Sequence, residues 1–172
     1  VAKVMSKIKI LCFEPQKKVF KELKTNINKN NIKNIKIFNI GLSNFEGHAK
    51  IFIDKNGPIG AYIKKRDDKI LKANRVKIQR LDNFCRLNSI KPNLIKCDVE
   101  GAELLVLEGG EKIINEFKPI IILEILRKWS KRFSYESNSV LKYLKSLKYE
   151  CYKINKQKII KIKKITNRTK NT

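Results

Sequence analysis

Two carboxylates, Asp98 and Glu100, stand two residues apart in the segment 96–103. A short apolar run precedes this segment and a helix-like run, 104–108, follows it, so the pattern predicts a strand, a tight turn and a helix. Ligands of open α/β sheets bind at the carboxyl ends of the strands, which makes these acids candidates for catalysis or ligand binding. If the backbone stays extended, both side chains face the same side. The alternative is that Glu100 and Glu103 only favour a helix N-terminus through its macrodipole.

A second predicted strand, starting near Ile8, also ends in an acid, Glu14. Pro15 follows it and fits the first position of a helix, where the missing N–H is not needed. An acid after the second strand of a nucleotide-binding βαβ unit accepts hydrogen bonds from ribose hydroxyls. The alternative is an acid at a helix N-terminus with no ligand. Two acidic strand ends in one chain favour the ligand-binding interpretation.

The elements that position these acids alternate between strand and helix patterns, which predicts an α/β fold with a mostly parallel sheet. The spacing indicates one domain over residues 1–162 and a basic polar tail, expected to be frayed, over 163–172. Asp82 is predicted to cap a short helix that ends at Leu87. Further helices are predicted around 19–27, 104–117 and 140–147, strands at 35–40, 49–53, 76–81 and 119–125, turns or loops at 41–47 and 56–60, and a closing antiparallel hairpin at 149–154 and 158–162.

The charge of the chain is strongly positive, with a formal net charge of +24. The 40 basic residues are 33 lysines and 7 arginines, spread along the chain without an arginine-rich patch or interleaved aromatic residues. Single-stranded nucleic acid is bound through such aromatic platforms, so we expect solvated lysine surfaces and no specific nucleic-acid partner. Loose attraction to acidic glycans, phospholipid head groups or RNA still follows from the charge.

Composition excludes several other classes of protein. Hydrophobic residues make up 42% of 172 residues, enough for one domain with a core. No apolar run approaches the roughly 20 residues of a membrane span. No secretory leader is evident at residues 1–10, which carry three lysines, so we expect a cytoplasmic protein. The cysteines are dispersed without a C-x-x-C pair, which predicts reduced thiols and no metal site; they are Cys12, Cys85, Cys97 and Cys151.

Several short segments together resemble a known family in their order and spacing. Over about residues 1–155, the chain resembles the FkbM family of S-adenosylmethionine-dependent methyltransferases, and the acidic stretch is the most specific part. The resemblance implies a Rossmann-like class I methyltransferase fold. The segments that carry it are Phe13-Glu14-Pro15, Gly41-Leu42-Ser43-Asn44, Glu46-Gly47, residues 96–103, Leu107-Glu108-Gly109-Gly110 and residues 119–125.

One part of that family's pattern is missing from this sequence. The family has a glycine-rich turn after its first strand, where glycines let the backbone approach the cofactor. Here the first glycine is Gly41, beyond the Glu14 strand, and residues 1–5 look like the end of the helix after that turn. We therefore expect the first strand and its glycine turn to be absent from this sequence. That strand would lie between the Glu14 and Asp98 strands. Without it, the chain alone is expected to be unstable and inactive, or to pair with another segment that supplies the strand.

The resemblance also implies roles for particular residues. Glu14, beside Pro15, would bind the ribose hydroxyls of S-adenosylmethionine. Asp98 and Glu100 would lie near the methionine end of the cofactor and the acceptor, and either carboxylate could take the proton of an acceptor hydroxyl. Glu124, at the next strand end, is implied to contact the acceptor, a small molecule or glycan. The adenine would be bordered by Gly41, Leu42, Ser43 and Asn44.

Two other function classes stay open at this point. An oxidoreductase that binds a nucleotide sugar or NAD also uses an acid after its second strand, and a non-catalytic basic module could bind RNA or an acidic membrane. The segment Asp98–Gly101 favours the methyltransferase. The single histidine, His48, is expected at the surface or at a strand edge. Residues 126–129 stand where the family often has histidine or asparagine, which leaves the acceptor open.

Overall fold

The computed structural model of the protein describes residues 2, 7–54, 57–62, 73–125, 130, 133–155 and 158–165. Strands and helices alternate along most of this length, as the sequence predicts. In chain order the elements are β1 (Ile10–Phe13), α1 (Lys17–Lys29), β2 (Ile35–Phe38), β3 (Gly41–Leu42), β4 (Gly47–Asp54), β5 (Gly57–Tyr62), β6 (Ala73–Gln79), α2 (Leu81–Leu87), β7 (Leu94–Cys97), α3 (Glu103–Gly109), α4 (Glu111–Phe117), β8 (Ile120–Leu123), α5 (Ser137–Ser146), β9 (Tyr152–Asn155) and β10 (Lys158–Lys161).

Two parallel strand pairs form the centre of the fold. β1 pairs with β2, from Ile10 opposite Ile35 to Phe13 opposite Phe38. β7 pairs with β8 in the same sense. Parallel neighbours need a crossover, and here α1 and the α3–α4 pair supply the two crossovers. α1 forms because its half-buried apolar residues recur at helical spacing, namely Val19, Phe20, Leu23 and Ile27. The predicted α/β class with parallel sheets is confirmed.

Both parallel pairs have an open edge among the described residues. Among the described residues, β1 is hydrogen-bonded to β2 as its one strand neighbour, and β7 to β8. Each of the two strands therefore keeps one edge that no described strand covers. A strand between β1 and β7 would satisfy the backbone groups of both edges.

An antiparallel insertion follows β2. Its strand order is β3-β6-β4-β5, with β6 parallel to β3 and antiparallel to β4. The prediction of a loop at 56–60 is wrong, since Gly57–Tyr62 forms β5 along the edge of β4. An edge strand tolerates Pro58, because its missing N–H removes no bond from an interior ladder. The predicted turn at 41–47 is also shorter, because Gly41 and Leu42 pair with β6.

The apolar core consists of two clusters joined by one strand. The first surrounds α2 and α4, where Phe13, Phe38 and Phe84 pack with ring centroids 4.8 to 5.5 Å apart. The second surrounds α3 and α5 and contains Leu107, Ile114 and Val140. Ile95 of β7 packs against both clusters. β7, the strand that leads into the acidic turn, therefore packs against both core clusters.

The two faces of the β7–β8 pair differ in exposure. Ile95 and Cys97 face the core, and their register partners Ile121 and Leu123 lie beside them. Side chains alternate across a strand, so the intervening residues point the other way. On that other face, Leu94 is 54% exposed, Ile120 67% and Ile122 39%. This outer face is open to solvent and carries these apolar side chains together with the exposed Lys96.

The predicted cap at Asp82 is wrong. α2 begins at Leu81 with Arg80 as its N-cap residue, so Asp82 already lies inside the first turn. Its Oδ1 instead accepts a hydrogen bond of 3.0 Å from the N–H of Ile113, the third residue of α4. Asp82 is therefore a capping residue for a neighbouring helix, and it joins α2 to α4 across the core.

The C-terminal hairpin is confirmed, with β9 antiparallel to β10. The expectation of a frayed tail is wrong for residues 163–165. The Asn138 side chain binds both backbone groups of Ile165, accepting from its N–H at 2.7 Å and donating to its carbonyl at 3.3 Å. Residues 166–172 lie outside the described part of the chain. Among the described residues, no helix combines the length and apolar character needed to cross a membrane.

Candidate functional site

The corner after β1 holds the first predicted site residue, Glu14. Its carboxylate is half-buried, and Oε1 accepts a 2.7 Å hydrogen bond from the N–H of Gln16. Burial raises the pKa of Glu14 above its ordinary value, and the Gln16 amide partly opposes that rise. The Asn39 side chain, just past β2, donates to the carbonyls of Glu14 and Pro15 at 2.8 and 3.2 Å. The Asn39 side chain thus links the end of β2 to the end of β1, next to the Glu14 carboxylate.

The predicted helical position of Pro15 is wrong by two residues. α1 begins at Lys17, with Gln16 as its N-cap residue, so Pro15 lies outside the helix. Gln16 has extended backbone angles, with a φ of −76° and a ψ of 112°, and the N–H of Phe20 donates to its carbonyl, so the helical turns begin after Gln16. Gly41 is brought to the same corner, since a Cβ built on it would lie 3.4 Å from the Pro15 Cβ. The structure therefore places Glu14, Pro15 and Gly41 together.

The turn after β3 is held by an arginine. Arg80 Nη1 donates to the carbonyl of Asn44 at 2.5 Å, and Nη2 donates to the carbonyl of Glu108 at 2.8 Å. Arg80 also forms an ion pair with Asp82 at 3.4 Å. The Asn44 amide donates to Glu108 Oε2 at 2.8 Å. These contacts fasten the turn to the C-terminal end of α3.

Ser43 in this turn is fully buried, and its N–H donates to the carbonyl of Gln79 at 3.1 Å. Its carbonyl lies directly over Gly109, so closely that a Cβ there would be 2.0 Å from the oxygen. Ser43 and Asn44 are therefore engaged with α3 and β6. Their place beside an adenine, and that of Leu42, stays a prediction.

The acidic turn after β7 departs from extended geometry. Asp98 is exposed, and its carboxylate lies 3.0 Å from Lys96 Nζ, an exposed ion pair of little energetic weight. Glu100 has a φ of 54° and Gly101 a φ of 102°. The extended geometry in which Asp98 and Glu100 would face the same side is not present, because the chain turns at Glu100 itself. A non-glycine residue in the left-handed region needs support from its surroundings.

That support comes from Glu103, the first residue of α3. Its side chain is 1% exposed and folds back over the turn. Oε1 accepts from the N–H of Gly101 at 3.0 Å and of Val99 at 3.3 Å. Glu103 therefore does more than favour the N-terminus of α3 through the helix macrodipole, because its carboxylate also accepts hydrogen bonds from the preceding turn. Burial, and then the charge of Glu103, raise the pKa of Cys97 at the strand end, so this thiol stays protonated.

Glu124 follows β8, and its N–H donates to the carbonyl of Cys97 at 3.2 Å. This bond places Glu124 beside the start of the acidic turn, and its side chain is exposed. His48 is also exposed, in β4 opposite Lys77, as expected. Residues 126–129 lie outside the described part of the chain. The predicted residues thus form two groups, one at the Glu14 corner and one at the ends of β7 and β8.

The comparison with protein families decides the class of the chain. The family model described as the methyltransferase FkbM domain matches residues 1–151. The chain belongs to the FkbM methyltransferase family. The match contains every predicted site residue, from Glu14 to Glu124. It favours a methyltransferase over an oxidoreductase or a non-catalytic basic module.

A solved structure shows the same fold. The crystal structure of methyltransferase FkbM from Methylobacillus flagellatus KT matches with a TM-score of 0.50 and 16% sequence identity. The match covers 81% of this chain and 29% of that protein, so the chain spans about a third of its length. No curated protein matches the chain.

Sequence reasoning missed Arg80, the residue that joins the Ser43–Asn44 turn to α3 in this FkbM domain. A signal was present, since Arg80 is one of 7 arginines in a chain whose other basic residues are lysines. A guanidinium offers several donors in a fixed planar arrangement, whereas an ammonium acts as a point charge. The planar set of donors on Arg80 is suited to bridging the turn and α3 in this way.

Gly109→Ala is expected to destabilise the domain by about 3 kcal/mol, the upper part of the range for overpacking. The new Cβ would meet the Ser43 carbonyl at 2.0 Å, and backbone held by Arg80 has little freedom to move away. The free energy of unfolding in urea measures the effect. Gly110→Ala is the matched control, because its Cβ would meet the flexible end of Leu81 at 2.8 Å. Equal losses in the two variants would show that the Ser43 contact is not the constraint.

Proposed function

We propose that this FkbM domain transfers a methyl group from S-adenosylmethionine to a hydroxyl of a sugar, glycan or related metabolite. The observation that carries the proposal is the pair of strand ends that finish in carboxylates, in a chain of a methyltransferase family. Glu14 ends β1 half-buried, and Asp98 follows β7 exposed. Two carboxylates in different environments suit two different tasks.

Glu14 suits the ribose of the cofactor. A carboxylate offers about four acceptor sites, and among the described residues the Gln16 N–H is the one donor to it. Acceptor capacity therefore remains for hydroxyl donors. Asn39 holds the backbone of this corner at Glu14 and Pro15, so the carboxylate is positioned before a ligand binds. Gly41 begins the next strand end, and in this proposal the segment 41–44 borders the adenine.

Asp98 suits the acceptor. When bound, S-adenosylmethionine supplies an electrophilic methyl group on a sulfonium: its C–S bond breaks, a C–O bond forms to the acceptor and the electron pair stays on sulfur. The acceptor hydroxyl also loses its proton, and Asp98 or Glu100 takes it. Asp98 is exposed and so reachable by an acceptor. Glu124, beside the end of β7, orients the acceptor in this proposal.

The acceptor class is tested with a radiolabelled methyl donor offered separately to sugar hydroxyls, amines and nucleic-acid bases. The assay uses the native gene product that contains this chain. Transfer to hydroxyl compounds alone is expected, because carboxylates at the turn suit proton removal from a hydroxyl. Consistent transfer to nitrogen or to bases would overturn the acceptor assignment and leave the methyltransferase class intact.

Glu14→Ala is expected to weaken S-adenosylmethionine binding by about 1–3 kcal/mol, because a charged hydrogen-bond acceptor is lost. The ionised carboxylate is the form that accepts hydroxyl hydrogen bonds, so affinity should fall as pH drops through its pKa. Burial raises the pKa of Glu14, so the loss of affinity begins at a higher pH than it would for an ordinary glutamate. Calorimetry from pH 4 to pH 8 measures both effects.

The matched variants for that experiment are Glu14→Gln and Glu22→Ala. Glu14→Gln keeps one oxygen but cannot titrate, so its weaker binding should no longer follow this part of the pH profile. Glu22 is exposed on α1, and its removal should leave affinity unchanged. Wild-type affinity in Glu14→Ala would remove this residue from the cofactor site.

Asp98→Asn is expected to lower kcat/KM by about 100-fold or more, within the range for a lost general base. The exchange keeps size and hydrogen bonding but removes the charge. The melting temperature should change little, since the ion pair with Lys96 is exposed. Glu116→Gln, at an exposed position on α4, is the control. A large loss of stability with normal specific activity would show that Asp98 has a structural role.

A further inference from the structure

Gly101, in the centre of the acidic turn, is held by both of its backbone groups. Its N–H donates to Glu103 Oε1 at 3.0 Å, and its carbonyl accepts from the Tyr135 hydroxyl at 2.5 Å. The residue is buried and has a φ of 102°. These groups belong to the two successive peptide units on either side of Gly101, so each unit is held by one hydrogen bond. The orientation of Glu100, its neighbour at a φ of 54°, is therefore fixed as well.

A helix-dipole role does not explain the burial of Glu103. Glu111 is also the first residue of a helix, α4, and its side chain is exposed, with a 3.0 Å bond from the Tyr143 hydroxyl. Glu103 is 1% exposed, although burying a carboxylate is unfavourable unless hydrogen bonds compensate. The compensating donors are the backbone N–H groups of Val99 and Gly101. The buried Glu103 carboxylate therefore stabilises the turn that contains Val99 and Gly101.

Tyr135 reaches the turn from a distant part of the chain. It lies two residues before α5, and its hydroxyl donates to Gly101 and accepts from the N–H of Leu104 at 3.4 Å. Glu103 Oε2 lies 3.3 Å from the same oxygen. Burial raises the pKa of Tyr135 further above its ordinary value, so the hydroxyl stays a donor. One hydroxyl thus links the turn, the start of α3 and the segment before α5.

We infer that Glu103 and Tyr135 are positioning residues, which hold the turn so that Asp98 and Glu100 point at the acceptor. The inference rests on the proposed methyl transfer for its functional part. Neither side chain needs to touch a substrate, since each acts through the Gly101 peptide. Methyl transfer depends on alignment of the reacting atoms, and a displacement of about 1 Å can lower a rate about 100-fold.

The structural part is tested by amide hydrogen exchange followed by NMR on the native gene product. Glu103→Ala should speed exchange of the Val99 and Gly101 amides at least about 10-fold, because their acceptor is lost. The Ile114 amide, bonded to the Gly110 carbonyl at 2.8 Å, should not change. Glu103→Gln keeps an acceptor oxygen and should restore most of the protection. Unchanged exchange of Gly101 in Glu103→Ala would overturn the inference.

The functional part compares two tyrosines. Tyr135→Phe removes the donor to Gly101, and Tyr149→Phe removes a matched donor, whose hydroxyl binds the Pro119 carbonyl at 2.9 Å. Tyr135→Phe should lower kcat about 10-fold, with the Kd for S-adenosylmethionine within about twofold, since the proposed ribose contact is at Glu14. Tyr149→Phe should leave both constants unchanged. Equal kcat losses in the two variants would make Tyr135 a general structural residue.

Failure of the proposed function is separable from failure of this inference. If the wild-type protein transfers no methyl group, the proposed function is wrong, and the exchange experiment still decides whether Glu103 holds the turn. If methyl transfer occurs but Glu103→Ala leaves the exchange rate of the Gly101 amide unchanged, the positioning role of Glu103 is wrong. Glu103→Gln covers the case in which Glu103→Ala does not fold. A Gln variant that keeps Gly101 protected should also keep a normal kcat, and a large loss of kcat with that protection intact would overturn positioning through the turn.

Discussion

The placement of α3 depends on how its two ends are held. At the C-terminal end, the Arg80 guanidinium binds the carbonyls of Glu108 and Asn44. At the N-terminal end, the Glu103 carboxylate binds the Gly101 peptide. The helix is seven residues long, so its own hydrogen bonds alone would not keep it in place. The position of the acidic turn therefore depends on α3, a short helix whose two ends are held by the charged side chains of Arg80 and Glu103.

Scarce residue types carry the structural contacts in this chain. Lysine is abundant and mostly exposed, whereas the 16 acids are few. Among the acids whose burial the structure describes, Asp82 and Glu103 are buried. Asp82 accepts a backbone N–H in the first turn of α4, and Glu103 accepts two from the turn that precedes α3. A buried carboxylate needs well-placed donors, and backbone N–H groups supply them here. The net charge therefore describes the surface of the protein and says little about its interior.

Local patterns predicted the elements better than their contacts. The spacing of Val19, Phe20 and Leu23 is enough to predict α1, because an amphipathic helix is encoded within a few turns. Asp82 was assigned to the wrong helix because a shift of two residues in the helix start frees its side chain for a tertiary contact. β5 was missed because its pairing depends on β4, which propensity alone does not show. The inward fold of Glu103 has no signature in a single sequence.

The outer face of the β7–β8 pair makes the self-association of the protein sensitive to salt. Leu94, Ile120 and Ile122 expose an apolar strip on a molecule with a net charge of +24. Mutual repulsion keeps such strips apart at low ionic strength, when the Debye length is about 30 Å at 0.01 M. At 1 M salt that length shrinks to about 3 Å, and the strips of two molecules approach without this barrier. Salt therefore sets the balance between repulsion and hydrophobic contact for this domain.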